Sequence, residues 1–183
     1  MLRTIITLTT LLIFNSSFAA TVLPVSLENM AENAAVIFYG RVISNEVKLD
    51  DVSQRVATFT TFEVLDAIRG VETGSYTLKQ IGGQLPGSQL VTRVYGVPRF
   101  TENAEYVVFL PQASQLGFAS PIGLSQGSYR VSTDNNGIKT VGRRGATGQN
   151  DTKSSPALRA SPGPNDKTAL ADFLQNVRTL SGH

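Results

Sequence analysis

The sequence contains no cysteine, no tryptophan and a single histidine, His183, at the very end of the 183-residue chain. Without cysteine the protein has no disulfides, no thiolate metal ligands and no thiol nucleophile. One terminal histidine also argues against a Ser-His-Asp triad and against a metal held by several imidazoles. Because most enzyme mechanisms lack their usual side chains here, we predict no catalytic residue, no metal site and no cofactor.

A large excess of positive charge is missing as well. The 16 Lys and Arg residues face 14 Asp and Glu residues, so the net charge is only +2. Proteins devoted to nucleic acids normally have a strong basic excess, so we expect no nucleic-acid partner. With 41% hydrophobic and 16% charged residues, the composition is typical of a globular domain and excludes collagen-like, coiled-coil and wholly disordered chains.

The N-terminus has the three parts of a secretory signal peptide, over residues 1–19. A short positively charged start precedes an apolar run at 4–14, and the small residues Ser17 and Ala19 predict cleavage before Ala20. No later segment approaches the length of about 20 apolar residues that a membrane span needs. We therefore predict an exported protein, periplasmic or extracellular, with no transmembrane span in its mature form.

Apolar runs predict a mainly β domain over residues 20–141. A short helix is expected first, at 26–33, where Ser26 can cap it. The runs typical of strands are 34–47, 55–68, 76–81, 89–95, 106–110, 128–132 and 138–141. Of these, 106–110 is apolar throughout, which indicates a strand buried on both faces.

The first strand run carries Gly40 in its interior, and a Gly inside a strand commonly marks a bulge or a bend. A long bent first strand can pair on both sides. Together with several antiparallel strands and a helix near each end, it is typical of a small closed barrel. The predicted fold is an OB-like antiparallel β-barrel with a short N-terminal helix and a C-terminal amphipathic helix.

Residues 142–164 change character abruptly, since they are rich in Gly, Pro, Ser and Thr and contain Leu158 as their only large apolar residue. This composition predicts a flexible linker. Residues 165–181 then predict a helix, capped by Asn165 or Asp166. Its apolar stripe consists of Leu170, Phe173, Leu174 and Val177. We expect this stripe to dock on the barrel.

Four segments carry a resemblance to known proteins. They are AAVIFYGRV at 34–42, FEVL at 62–65 with Gly70, GVPRF at 96–100 and EYVVFL at 105–110. This pattern, spanning roughly residues 25–131, resembles a group of uncharacterised exported bacterial proteins. Some members of that group resemble the netrin-like domain, the OB barrel of the tissue inhibitors of metalloproteinases.

The resemblance to these inhibitors implies a role for the mature N-terminus. The inhibitors present a free α-amine and its carbonyl to a catalytic zinc, ahead of a Thr and a nearby Pro, and the segment ATVLP at 20–24 is similar. They fasten that segment with disulfides, which this chain cannot form. The resemblance thus makes Ala20 and Thr21 candidate binding residues, and the alternative is an unstructured leader before the first helix.

Aromatic residues on the predicted strands and loops could form a platform for a ligand, as OB barrels often do. They are Tyr39, Phe59, Tyr76, Tyr95 and Phe100. We take Tyr39, Tyr95 and Phe100 as candidate binding residues. Packing in the core is the alternative for most of the five.

Two further patterns have simpler explanations. The pairs Gly82-Gly83 and Pro86-Gly87 could cradle an anion, but no Lys-Ser or Lys-Thr follows them, which favours ordinary turns. Several acids could bind calcium, although none has the alternating spacing of a calcium loop. These acids are Asp50, Asp51, Asp66, Glu102 and Glu105.

Three functions stay open. The first is a non-enzymatic binding module that contacts a protein partner, such as a secreted metalloprotease that it inhibits. The second is an envelope-associated protein that binds polysaccharide or has a structural role. The third is a hydrolase that uses two carboxylates from distant strands. The missing Cys and His, together with the resemblance, favour the first.

Overall fold

The structure, a computed structural model, describes residues 23–89, 91–143 and 168–182. Predicted features outside these residues are the signal peptide at 1–19, the candidate residues Ala20 and Thr21, and residues 144–167 of the predicted linker and helix start.

The described part of the chain is mainly β, as predicted, with 44% of its residues in strands and 17% in helices. The helices are α1 (Leu27–Asn33) and α2 (Leu170–Ser181). The strands are β1 (Val36–Leu49), β2 (Val56–Arg69), β3 (Gly74–Ile81), β4 (Gly83–Gln84), β5 (Val91–Thr92), β6 (Glu105–Leu110), β7 (Ser128–Thr133), β8 (Lys139–Arg143) and β9 (Thr168–Ala169). Ser26 caps α1 as expected, because its Oγ accepts a hydrogen bond from Asn29 N at 3.2 Å.

Seven strands form one antiparallel sheet in the order β3-β2-β1-β6-β7-β8-β9. The long first strand pairs on both sides, with β2 along most of its length and with β6 through residues 36–41. Its register against β2 shifts at Gly40, so this glycine marks a bulge. A Cβ at Gly40 would lie 2.8 Å from the carbonyl oxygen of Glu63, which excludes any larger residue there.

In the described part of the chain, β3 and β9 are the outer strands of this sheet and no ladder joins them. The connection from β6 to β7 reaches the outer edge of β3 instead. There Phe118 forms a parallel bridge with Lys79, and Ala119 N donates to Lys79 O at 3.0 Å. The connection then returns to β6, where Ile122 N donates to Phe109 O at 3.0 Å. Complete closure into an OB-type barrel stays a prediction.

Strand β6 is buried on both faces, in agreement with its unbroken apolar sequence. Val107 and Phe109 belong to a first core cluster beneath α1 and α2, whereas Tyr106, Val108 and Leu110 belong to a second cluster on the opposite face. Each fully buried large apolar side chain contributes about 1.5–3 kcal/mol. The sheet therefore needs a cover on each face.

Helix α2 provides part of the first cover. The expected stripe, Leu170, Phe173, Leu174 and Val177, is buried in the first cluster. The helix begins at Leu170 and not near residue 165, because Thr168 and Ala169 pair with Val141 and Thr140 of β8. It has no side-chain cap at its N-terminus, and Gly182 ends it in the left-handed conformation.

Arg69 of β2 joins the C-terminal ends of both helices. Its Nη1 donates to Ala31 O at 2.6 Å and to Ala34 O at 3.1 Å, and its Nη2 donates to Ser181 O. The last carbonyls of a helix have no partner within the helix and carry the negative end of its dipole. One guanidinium thus satisfies three such carbonyls and fixes both helices over the first cluster.

Arg69→Met should loosen this anchorage, because it removes the donors while keeping an aliphatic side chain of similar length. We expect the free energy of unfolding to fall by about 2–4 kcal/mol, measured by urea denaturation, with faster amide exchange in α2. Arg55→Met, at an exposed position before β2, is the control and should change stability by less than about 0.5 kcal/mol. Equal stability of the two variants would contradict the anchoring role of Arg69.

Candidate functional site

The turn after β5 carries Tyr95, whose side chain is 90% exposed, more than any other large apolar residue in the described ranges. The neighbouring Val91 and Val94 are exposed too. The predicted strand at 89–95 is much shorter, with only Val91–Thr92 paired, because the chain turns at Tyr95 and Gly96. Gly96 has φ +80°, a left-handed conformation that glycine adopts without steric cost.

The C-terminal end of this loop is anchored in the second core cluster. Phe100 is 6% exposed, and its ring centroid lies 5.0 Å from those of Phe62 and Tyr106 in edge-to-face contacts. Pro98 is buried as well, and the Tyr106 hydroxyl accepts a hydrogen bond from Thr101 N at 3.2 Å. Phe100, one of the candidate binding residues, therefore holds the loop in place and offers no surface to a partner.

The tip of the loop rests on a short 3₁₀ turn, Leu124–Gly127. A Cβ at Gly96 would lie 2.5 Å from Leu124 Cδ1, so the glycine packs directly on that side chain. Leu124 itself has φ +62°, which is uncommon for a branched residue. The residue before it, Gly123, packs against Val25, since a Cβ there would meet Val25 Cγ2 at 2.9 Å.

Gln126 ties the start of the described chain to the same turn. Its Oε1 accepts from Val25 N at 2.8 Å, and its Nε2 donates to Leu23 O at 3.0 Å. Val25 packs against the first core cluster, whereas Leu23 is 79% exposed. Residues 23–25, 91–96 and 123–126 thus form a continuous surface, named here the Tyr95 ridge.

Lys79 anchors the β6–β7 connection, which contains the 3₁₀ turn beneath the ridge. Its Nζ lies 2.6 Å from Asp50 Oδ1, donates to Leu116 O at 2.8 Å and lies 4.4 Å from the centroid of the Phe118 ring. The ion pair with Lys79, assisted by hydrogen bonds from Ser53, lowers the pKa of Asp50 to about 2. The β1–β2 turn, β3 and the β6–β7 connection are therefore held together at one point.

A small apolar cleft of about 180 Å³ lies between this connection and the loop that carries Tyr95. Its lining consists of Ile81, Val94, Val97, Phe118, Ala119 and Ser120. Val94 belongs to both the cleft and the ridge. A partner that covers Tyr95 can therefore also reach the cleft.

Tyr39 lies in a separate polar network and is only 7% exposed. Its hydroxyl donates to Glu105 Oε2 at 2.5 Å. Lys139 Nζ donates to the same carboxylate oxygen and to the Tyr39 hydroxyl, each at 2.8 Å, and Arg41 Nη2 donates to Glu105 Oε1 at 3.2 Å. The network cross-links β1, β6 and β8.

Titration of this network follows from its hydrogen bonds. Burial, followed by the hydrogen bond to Glu105, raises the pKa of Tyr39, so the phenol stays protonated at neutral pH. Burial would raise the pKa of Glu105 as well, but the bonds from Lys139, Tyr39 and Arg41 outweigh it and lower that pKa. The hydrogen bond to Glu105 raises the pKa of Lys139. The carboxylate is occupied by three donors, which suits cross-linking and not acid–base catalysis.

Two other acids singled out in the sequence, Asp66 and Glu102, accept from different donors. Asp66 receives Arg178 Nη2 at 2.6 Å, and Glu102 accepts from Asn45 N at 3.0 Å. Within residues 23–89, 91–143 and 168–182, no three His, Cys, Asp or Glu residues come together as metal ligands would. Sequence analysis did not identify Gln126 and Lys79 as residues that support the ridge, because neither belongs to a functional motif.

Comparisons with protein-family models, with curated proteins and with solved structures give no match for this chain. The resemblance to exported bacterial proteins and to netrin-like domains therefore stays a prediction. Both helices of the described chain, with 7 and 12 residues, are too short to cross a membrane.

Acid should weaken the Lys79–Asp50 anchor. The folded pKa of about 2 lies below the usual value near 3.8, so the pair stabilises the fold above about pH 4 and this contribution is lost as the pH falls towards 2. Asp50→Asn should be less stable than the natural protein at pH 7, with a shallower loss of stability between about pH 5 and 2. Urea denaturation at several pH values measures both. Asp51→Asn is the matched control, and an equally shallow curve for it would contradict the assignment to Asp50.

Proposed function

We propose that the protein is an exported, non-enzymatic binding module that contacts a protein partner through the Tyr95 ridge. The observation that carries this proposal is the 90% exposure of Tyr95 on a turn whose backbone is packed from below. Tyrosine is enriched among the residues that dominate binding energy, because it combines a large apolar ring with a hydroxyl and has few rotatable bonds. Leaving such a ring in water gives the free protein no packing energy.

The packing beneath the ridge supports binding in a second way. Gly96 on Leu124, Gly123 on Val25 and the two hydrogen bonds of Gln126 hold three segments in one arrangement before any partner arrives. A surface that is already ordered loses less conformational entropy on association, so more of the contact energy appears as affinity. The polar network of Tyr39 and Glu105 also favours the ridge as the contact surface. Its acceptors are already hydrogen-bonded to donors within the protein.

We extend the proposal to the kind of partner that the resemblance implies, a secreted metalloprotease. In that form the fold is a closed OB-type barrel of the netrin-like kind, and cleavage before Ala20 frees an α-amine that binds the catalytic zinc. The anchorage of residues 23–25 by Gln126 supports this extension. It supplies hydrogen bonds close to the mature N-terminus, where the inhibitors use disulfides.

Tyr95→Ala should weaken partner binding about 30-fold, since truncating a central aromatic residue costs about 2 kcal/mol or more. To find the partner, a photo-crosslinking residue at position 95 should yield a protein adduct in the producing cells or their medium. Titration calorimetry with the purified partner then measures the affinity.

Val52→Ala is the matched control, because Val52 is 73% exposed on the β1–β2 turn and lies outside the three segments that form the ridge. It should leave the affinity unchanged within about twofold. Equal losses in both variants would argue against the ridge. Tyr95-dependent binding to an immobilised polysaccharide, without any protein adduct, would favour the envelope-associated alternative.

The extension to a metalloprotease has its own test, because it depends on one nitrogen atom. A free α-amine has a pKa of about 8, so it can lose its proton to a metal near neutral pH. The mature protein should inhibit a co-secreted zinc protease, whereas a form with one extra N-terminal Gly and an acetylated form should not. All three should have the same melting temperature, since neither change touches the core. Equal inhibition by all three forms would exclude metal binding and leave the ridge as the contact.

A further inference from the structure

We infer that the turn between β7 and β8 carries a site of spontaneous covalent modification, at Asn136 and Gly137. There the Asn136 side chain loses its amide nitrogen as ammonia, and the residue becomes aspartate or isoaspartate. The turn lies outside the three segments of the Tyr95 ridge, so this inference does not depend on the proposed function.

The reaction needs the side-chain amide, the next backbone nitrogen and water. The Gly137 nitrogen gives up its proton and attacks Asn136 Cγ, so a bond forms between these two atoms. The bond from Cγ to Nδ2 breaks, and the leaving nitrogen takes up a proton and departs as ammonia. Water then opens the resulting succinimide ring. Opening at one ring carbonyl gives aspartate, and opening at the other gives isoaspartate, in which the main chain runs through Cγ.

The residue that follows each asparagine decides how readily this ring closes. Asn136 is the only asparagine in the chain that is followed by glycine. A side chain on the following residue obstructs the attack, because its Cβ lies next to the attacking nitrogen. Glycine has no Cβ and moves easily between backbone conformations. The chemistry therefore favours Asn136 over the other asparagines.

The surroundings of the turn leave the reacting groups accessible. Residues 132–138 are exposed, and a Cβ at Gly137 would meet no atom within 4 Å. The side-chain amide of Asn136 has no hydrogen-bond partner among the described residues, since its backbone nitrogen makes the bond to Asp134. The side chain is therefore not held away from the Gly137 nitrogen.

Asp134 holds the backbone on both sides of that nitrogen. Its Oδ1 accepts hydrogen bonds from Asn136 N at 2.9 Å and from Ile138 N at 2.8 Å. The Gly137 nitrogen donates to Asp134 O at 3.1 Å. Because the turn is exposed, breaking this last bond opens only local structure and leaves the core intact. The attacking nitrogen is thus released without unfolding of the sheet.

Isoaspartate should affect more than the turn, because it lengthens the main chain by one atom just before β8. The pair of Thr133 and Lys139 comes next in the β7–β8 ladder. Lys139 Nζ donates to Tyr39 and to Glu105. A displaced start of β8 therefore loosens the network that cross-links β1, β6 and β8, and the protein loses stability as it ages.

Ageing the purified natural protein in warm, mildly alkaline buffer tests this inference, because base removes the proton from the Gly137 nitrogen. Peptide mapping by mass spectrometry locates each asparagine that has lost its amide, and labelling by an isoaspartyl methyltransferase detects isoaspartate. We expect Asn136 to react at least about tenfold faster than Asn103, an exposed asparagine followed by alanine. Its rate should lie within about tenfold of that in a synthetic peptide of residues 132–140.

Two variants separate the reaction from its consequences. Asn136→Gln should stay unmodified at that position, because its longer side chain must close a larger ring. Freshly purified Asn136→Asp adds the new charge without lengthening the main chain, so it should keep the urea midpoint of the fresh natural protein. The aged natural protein, enriched in isoaspartate, should unfold at a lower urea concentration than either.

The opposite results would overturn the inference. Conversion of the peptide while Asn136 of the protein stays intact would show that the folded turn protects the site. Faster reaction of Asn103 or Asn135 would contradict the assignment to Asn136. An aged sample rich in isoaspartate that keeps the urea midpoint of the fresh protein would contradict the loosening of the Glu105 network.

Discussion

The rest of this structure depends on the burial of β6 on both of its faces. A six-residue strand with no charged side chain after Glu105 cannot leave either face in water without losing several kcal/mol of hydrophobic stabilisation. Two separate covers are therefore required. The helices α1 and α2 provide one, and the long connections on the other side of the sheet provide the second.

The two covers are held in different ways. The guanidinium of Arg69 donates hydrogen bonds to carbonyls at the C-terminal ends of both helices. This charged donor holds the first cover in place. The second cover has little regular structure and is held at single points, above all at Lys79 and Gln126. Because loops form this second cover, some of its turns project into solvent. Tyr95 is exposed on such a turn because its neighbours Pro98 and Phe100 are used for packing.

Charges in the described chain are mostly used for holding elements together. Asp50 is paired with Lys79, Asp66 with Arg178, and Glu105 with Lys139 and Arg41. Groups committed in this way stabilise the fold but have little freedom for proton transfer to a substrate.

Local sequence determined those features in which the interaction partners are close in the chain. The Ser26 cap, the bulge at Gly40 and the two-sided burial of β6 each depend on a few neighbouring residues or on an unbroken apolar run. Composition alone also showed that the usual catalytic side chains are scarce.

Tertiary structure alone decided the candidate site. Tyr39, Tyr95 and Phe100 look alike in the sequence, yet two are buried and one is almost fully exposed. Gln126 meets Val25 across 101 residues, and Lys79 meets Leu116 across 37. No local pattern encodes such contacts, because exposure and long-range pairing depend on which segments the whole chain brings against each surface. For the same reason α2 begins at Leu170 and not near residue 165, because residues 168 and 169 pair with β8.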